Sequence, residues 1–92
     1  MQPNGYTIFI VEDDQSVRDA LGLLLGLCGH PVSMFSDAES FLKVYRPEWR
    51  GCLLVDIRMP GMDGIALQKH LLETGCRLPV IVMTGHGNVE SA

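Results

Sequence analysis

The sequence predicts an alternating α/β domain built on an open parallel sheet. Four short apolar segments, rich in β-branched residues, alternate with three segments whose apolar residues recur every three or four positions. The apolar segments contain few polar positions, which is typical of strands that are covered on both faces. Alternating strands and helices are normally joined as parallel βαβ units with right-handed crossovers. We expect residues 1–92 to form a single domain, because the chain shows no linker and no internal repeat.

The first strand and the first helix are predicted from a change of pattern near residue 12. Residues 6–11 are almost all apolar or β-branched, so they predict a buried strand. Over 15–28 the apolar residues recur at helical spacing, and Gly29 provides a stop signal. The leucine-rich run 21–27 is expected to pack in the core.

The second strand and helix are marked by weaker signals. Residues 31–35 predict a short strand. The sequence Ser-Asp-Ala-Glu at 36–39 has the S-x-x-E spacing of a capping box, with Ser36 as the cap. The helix that follows is predicted to end at residue 44 or 45.

The second half of the chain repeats the alternation. Residues 52–55 predict a third buried strand, and the loop 58–64 is rich in turn-forming residues. Apolar residues between 65 and 72 predict a third helix that stops near Gly75. Residues 79–83 predict a fourth strand.

Composition excludes several classes of protein. Lys+Arg number 7 and Asp+Glu number 11, a net charge of −4, and no basic run is present to hold nucleic acid. No segment approaches the roughly 20 apolar residues of a membrane span, and the N-terminus lacks a secretory signal pattern. The three cysteines are too widely spaced for a zinc site and are expected to be small core residues. We therefore expect a cytoplasmic domain that binds neither nucleic acid nor membrane.

Polar side chains follow three of the predicted strands. Glu12 and Asp13 follow the first strand, Asp56 the third and Thr84 the fourth. Ligands of open parallel sheets bind at the carboxyl ends of the strands, so these residues are expected to converge. Carboxylates held close together repel one another unless a cation lies between them, and hard oxygen ligands suit Mg²⁺. The sequence therefore predicts a magnesium site.

A carboxylate beside such a cation can attack a phosphoryl group and form an aspartyl phosphate. A nearby hydroxyl would then bond to the new phosphate and convert the change of charge into a loop movement. The pattern thus predicts a phosphorylation switch with Asp56 as nucleophile and Thr84 as the hydroxyl.

Each of these residues also has an ordinary structural interpretation. The acids at 12–14 would suit a solvated loop and a helix N-terminus, where negative charge is favourable. For Asp14 this capping role is the preferred interpretation, as it is for Asp63. The minor alternatives are a turn or cap role for Asp56 and the end of a strand for Thr84.

Three motifs carry a resemblance to a known family. They are IVEDD at 10–14 followed by Val17 and Arg18, LVDIRMPGMDG at 54–64, and PVIVMTGHG at 79–87. In this order and spacing the chain resembles the receiver domains of bacterial two-component response regulators, in particular those of FixJ-like transcription factors. The resemblance covers Tyr6 to Ala92 and implies the flavodoxin-like, CheY-like strand order.

The resemblance also implies a role for each site residue. Asp56 would accept a phosphoryl group from a sensor histidine kinase, and Thr84 would be the switch hydroxyl. Asp13 would bind Mg²⁺ directly, Glu12 through water, and Arg58 through its backbone carbonyl. The domain would be a phosphoacceptor rather than an enzyme, and its full-length parent would regulate transcription.

Similar receivers continue with a further helix, strand and helix, and their last strand ends in a lysine that pairs with the phosphate. Lys43 and Lys69 are the only lysines here, and both fall in predicted helices. We expect an incomplete receiver whose fourth strand is an exposed edge, and therefore a homodimer or an exchange of elements between copies.

Two other functions are considered. The first is a phosphorylation-incompetent receiver fragment that acts in protein interaction or dimerisation. The second is a phosphatase of the haloacid dehalogenase type, but those enzymes place a second acid two residues after the nucleophile, where this chain has Arg58.

Overall fold

The computed structural model describes residues 5–83, in which four strands alternate with three helices. The predicted order of elements is confirmed, and each predicted boundary lies within about two residues of the observed one. The strands and helices are β1 (Tyr6–Val11), α1 (Gln15–Leu27), β2 (Val32–Phe35), α2 (Ala38–Val44), β3 (Arg50–Asp56), α3 (Gly64–Glu73) and β4 (Val80–Met83).

The four strands form one parallel sheet in the order β2-β1-β3-β4. The chain moves outward in one direction from β1 to β2 and then returns past β1 to β3, so the strand order reverses beside β1. Val11 is in register with Val55 at the carboxyl end of this central pair. Glu12, just after β1, and Asp56, the last residue of β3, therefore lie side by side at the position where ligands bind in this class of fold.

The hydrophobic core lies between the sheet and the helices α2 and α3. Phe9 stacks on Trp49 with ring centroids 4.8 Å apart, and its edge meets Phe41 of α2 at 6.0 Å. Leu67 and Leu71 of α3 are also buried in this core. The strands β1 and β3, which carry acidic residues at their carboxyl ends, are thus anchored in this core.

Among residues 5–83, the other face of the sheet is less completely covered, and here one expectation was wrong. None of the residues of α1 is buried, and Leu23, Leu24 and Leu27 are 67%, 58% and 77% exposed. The helical spacing identifies an apolar surface, but it does not show whether another element covers that surface. No helix within residues 5–83 is long and apolar enough to cross a membrane.

The cysteines are free thiols. Cys52 and Cys76 are half-buried, whereas Cys28 is exposed at the end of α1. The expectation of a core position was therefore wrong for Cys28, because the side of α1 that carries it is not covered in the described part of the chain.

An aspartate caps the N-terminus of each helix by accepting a backbone N–H bond. The bonds join Ser16 N–H to Asp14 at 2.9 Å, Ser40 N–H to Asp37 at 2.7 Å and Ala66 N–H to Asp63 at 2.9 Å. The capping predictions for Asp14 and Asp63 are confirmed. The prediction of Ser36 as the cap of α2 was wrong, because Asp37 takes that position and the bonds from Ser40 lower the pKa of its carboxyl.

Candidate acidic site at the carboxyl edge of the sheet

Three carboxylates meet where β1 and β3 end. One carboxylate oxygen from each of Glu12, Asp13 and Asp56 can be chosen so that all lie within 4.8 Å of one another. Glu12 and Asp56 are each only 1% exposed, whereas Asp13 is exposed. The cluster thus has a buried base of two carboxyl groups and one carboxylate at its open side.

Three hydrogen bonds, two to the backbone and one to the side chain, hold Glu12 in place. Its N–H donates to the carbonyl of Phe35 at 3.0 Å, which extends the pairing of β1 with β2. Its carbonyl accepts a bond of 2.7 Å from Nη1 of Arg18. Its carboxylate Oε2 accepts the N–H of Asp14 at 3.1 Å. The loop that carries Glu12 and Asp13 is therefore fixed by the strand on one side and by α1 on the other.

The buried carboxyl group of Glu12 is difficult to ionise. Burial, followed by the charge and hydrogen bond of Asp56, raises the pKa of Glu12 to about 7, although the N–H of Asp14 opposes the shift. Glu12 therefore retains a proton over much of the range in which an ordinary glutamate has lost it. The cluster does not readily hold three full negative charges without a compensating cation.

Asp56 is oriented by the loop that follows it. The N–H of Arg58 donates to Oδ1 of Asp56 at 3.1 Å. The loop returns to the end of β3 at the start of α3, where the N–H of Gly64 donates to the carbonyl of Ile57 at 3.3 Å. A Cβ on residue 64 would lie 2.9 Å from the carbonyl carbon of Asp56, so only glycine permits this approach.

A cleft of about 550 Å³ lies beside the cluster and reaches it at Asp13. It is lined by Asp13, Asp14, Ile57, Arg58, Met59, Pro60 and Asp63. The exposed carboxylate of Asp13 faces a space large enough for a phosphoryl group and its donor. Carboxylate oxygens that leave room for water are the donor set that Mg²⁺ prefers, so the residues present fit this ion.

The structure brings Glu12, Asp13 and Asp56 together and places the backbone of Arg58 against Asp56. Thr84 lies outside the described residues. Two residues were not singled out for a role from the sequence, namely Arg18, which binds the acidic loop, and Gly64, which contacts the backbone of Asp56. Both belong to the motifs noted above, but only the contacts in space show what they do.

Comparison with known proteins gives a consistent result. Residues 8–92 match the response regulator receiver domain family. The transcriptional regulatory protein FixJ of Bradyrhizobium diazoefficiens is 41% identical over 85 residues, which cover 92% of this chain and 42% of that protein. The response regulator protein TodT of Pseudomonas putida is 38% identical over 92 residues, covering 100% of this chain and 40% of that protein. The chain thus spans about two fifths of the length of these relatives.

Solved structures agree with the sequence comparison. The crystal structure of FixJ-N is similar with a TM-score of 0.82 and 41% identity, covering 95% of this chain and 70% of that chain. The response regulator StyR is similar with a TM-score of 0.84 and 46% identity, covering 89% of this chain and 41% of that chain. The predicted flavodoxin-like, CheY-like class of parallel sheet is confirmed. The chain belongs to the response regulator receiver domain family.

Proposed function

We propose that Asp56 accepts a phosphoryl group from the phosphohistidine of a sensor kinase. Receiver domains work with sensor histidine kinases in two-component systems, and the acidic cluster at the carboxyl edge of the sheet is the observation that carries the proposal here. Asp56 is buried with Glu12 and adjoins the exposed Asp13, which lines a cleft with room for a donor.

In the proposed transfer, a carboxylate oxygen of Asp56 attacks phosphorus and forms a P–O bond. The P–N bond to the kinase imidazole breaks, its electron pair remains on nitrogen, and that nitrogen takes up a proton. The bond from the N–H of Arg58 limits rotation of the Asp56 carboxylate, which keeps it in one orientation for attack. The chain is a stoichiometric acceptor in this scheme and not an enzyme that turns over.

Mg²⁺, when bound, would neutralise negative charge on the phosphoryl oxygens. We propose that Asp13 and Asp56 bind it directly and that Glu12 does so through water. The exposure of Asp13 allows the ion to keep several water ligands, as Mg²⁺ requires. The backbone carbonyl of Arg58 is proposed as the remaining protein ligand.

Thr84 directly follows β4 in the sequence and is proposed as the hydroxyl that bonds to the new phosphate. The relatives FixJ and TodT are a transcriptional regulatory protein and a response regulator by name. We therefore propose that a protein carrying this domain regulates transcription in response to phosphorylation of Asp56.

Intact-mass spectrometry after incubation with acetyl phosphate and Mg²⁺ tests the proposal. We expect one phosphoryl adduct that hydroxylamine removes, because hydroxylamine cleaves acyl phosphates. Asp56→Asn should abolish the adduct. Asp63→Asn is the matched control, since it makes the same chemical change at a residue that lines the neighbouring cleft and leaves a residue that still caps α3. A folded wild-type protein that forms no adduct would contradict phosphotransfer and favour the alternative function of an interaction fragment.

Self-association is supported by exposed apolar side chains on α1 and on β4, which lies at one edge of the sheet formed by residues 5–83. Leu23 and Leu27 are 67% and 77% exposed, and Ile81 of β4 is 52% exposed. We expect the mass measured by sizing with light scattering to rise with concentration, and Leu23→Gln with Leu27→Gln to reduce this rise. Leu72→Gln is the control, because Leu72 is 71% exposed on a different helix. A wild-type protein that is monomeric at every concentration would rule this expectation out.

A further inference from the structure

We propose that Arg18 is a positioning residue that aims the carboxylate of Asp13 by holding the peptide between Glu12 and Asp13. The inference rests on the proposed function of the acidic site and adds a residue that contributes no ligand atom. It assigns a role to a side chain on α1 that reaches back into the loop after β1.

The contact is short and specific. Nη1 of Arg18 donates to the carbonyl oxygen of Glu12 at 2.7 Å, six residues back along the chain. This distance is at the short end of the range for hydrogen bonds from charged nitrogen, and such bonds are about twice as strong as neutral ones. Arg18 is half-buried, so water competes less for its guanidinium than on an open surface.

Holding the carbonyl of Glu12 controls the direction of Asp13. The carbonyl of Glu12 and the N–H of Asp13 belong to one planar peptide, so fixing the oxygen fixes the plane from which Cα of Asp13 departs. Within residues 5–83, no hydrogen bond holds the side chain of Asp13 itself. Its position relative to Asp56 therefore depends on its own rotamer and on the backbone, and Arg18 is the side chain that holds the carbonyl of this backbone.

The charge of Arg18 and its positioning role have opposite effects on Mg²⁺ affinity. A guanidinium near the cluster repels a divalent cation, so its removal would strengthen Mg²⁺ binding if charge alone mattered. Loss of positioning instead weakens binding, because the carboxylate oxygens of Asp13 and Asp56 no longer lie at the distances that the ion requires. The sign of the change in Mg²⁺ affinity therefore distinguishes the two roles.

The test is a Mg²⁺ titration by calorimetry, without phosphoryl donor, on the wild type and four variants. We expect Arg18→Met to weaken affinity by about 10-fold, the lower end of the range seen when groups that orient metal ligands are removed. Arg18→Lys retains a charged donor and should recover most of this loss. Arg46→Met is the control, because it removes the same charge from an exposed position before β3, at the opposite end of that strand from Asp56. Asp13→Asn provides the benchmark for removal of a ligand.

Thermal unfolding of each variant checks that the fold is retained, and the Asp13 amide signal in NMR spectra should shift in Arg18→Met even without Mg²⁺. Unchanged or tighter Mg²⁺ binding by Arg18→Met would overturn the positioning role while leaving the proposed function in place. A loss in Arg18→Lys as large as in Arg18→Met would assign the effect to packing and also overturn it. A folded wild type that binds no Mg²⁺ would overturn the proposed function together with this inference.

Discussion

Gly64→Ala is expected to reduce the rate of phosphoryl adduct formation at Asp56 by about 100-fold, the loss that a misplacement of about 1 Å can cause. A Cβ at this position would lie 2.9 Å from the carbonyl carbon of Asp56 and 3.0 Å from Cα of Ile57. Both are backbone atoms, so neither can rotate away. The N–H of Ile57 also bonds to the carbonyl of Met83 at 2.9 Å, which ties this backbone to β4. The clash must therefore displace the start of α3 or the end of β3, and Asp56 is the last residue of β3.

The rate is measured by intact mass over time with acetyl phosphate and Mg²⁺. Gly26→Ala is the matched control, because a Cβ on that residue of α1 meets nothing within 4 Å. It should leave the rate unchanged and stabilise the protein by about 0.5–1 kcal/mol, the usual advantage of alanine over glycine in a helix. A wild-type rate in Gly64→Ala would show that the end of β3 tolerates the added carbon and that close approach does not position Asp56.

Gly51→Ala is expected to cause the largest loss of stability of any single methyl addition considered. Gly51 lies opposite Thr7 in the central strand pair and has φ +144°, a conformation that L-residues with a side chain rarely adopt. A Cβ there would lie 2.7 Å from the carbonyl carbon and 2.9 Å from the nitrogen of Thr7. Clash and backbone strain together act on the pairing of β1 with β3, so we expect a loss of about 4 kcal/mol or more. That is a large part of the 5–15 kcal/mol that stabilises a typical domain.

Denaturant unfolding followed by Trp49 fluorescence measures this loss, because Trp49 stacks on Phe9 in the core and its surroundings change on unfolding. Gly26→Ala again serves as the control and should shift the midpoint in the opposite direction. If Gly51→Ala is recovered only as unfolded protein, a circular dichroism spectrum without the secondary structure of Gly26→Ala shows the same loss of stability. A free energy of unfolding for Gly51→Ala within about 0.5 kcal/mol of the wild-type value would contradict the structural argument.

Much of the candidate site could be predicted from the sequence because it depends on chain order. The run at 6–11 and the run ending at Asp56 are apolar enough to be buried strands, and buried strands joined by helices are parallel. Parallel strands end at one edge, so the acids after them were expected to lie together. Asp14 and Asp63 could be assigned as caps for a similar reason, since capping is a contact between near neighbours.

Predictions failed where two residues competed for one capping position, and where burial depended on a neighbouring element. Asp37 rather than Ser36 caps α2, because two adjacent residues had suitable side chains and the local geometry selected one. Leu24 and Leu27 have helical spacing, yet they are exposed because burial depends on what packs against a helix. Spacing along one element carries no information about its neighbours.

The sequence by itself determined the alternation of strands and helices and the acids at the carboxyl ends of β1 and β3, since both depend on the order of residues along the chain. Only the tertiary structure decided that the guanidinium of Arg18 reaches the carbonyl of Glu12 and that Gly64 touches the backbone of Asp56. It also decided that Glu12 is buried deeply enough for its pKa to rise to about 7. The physical reason is that hydrogen bonds, close approach and burial depend on distances between segments, and these distances exist only once the sheet has formed.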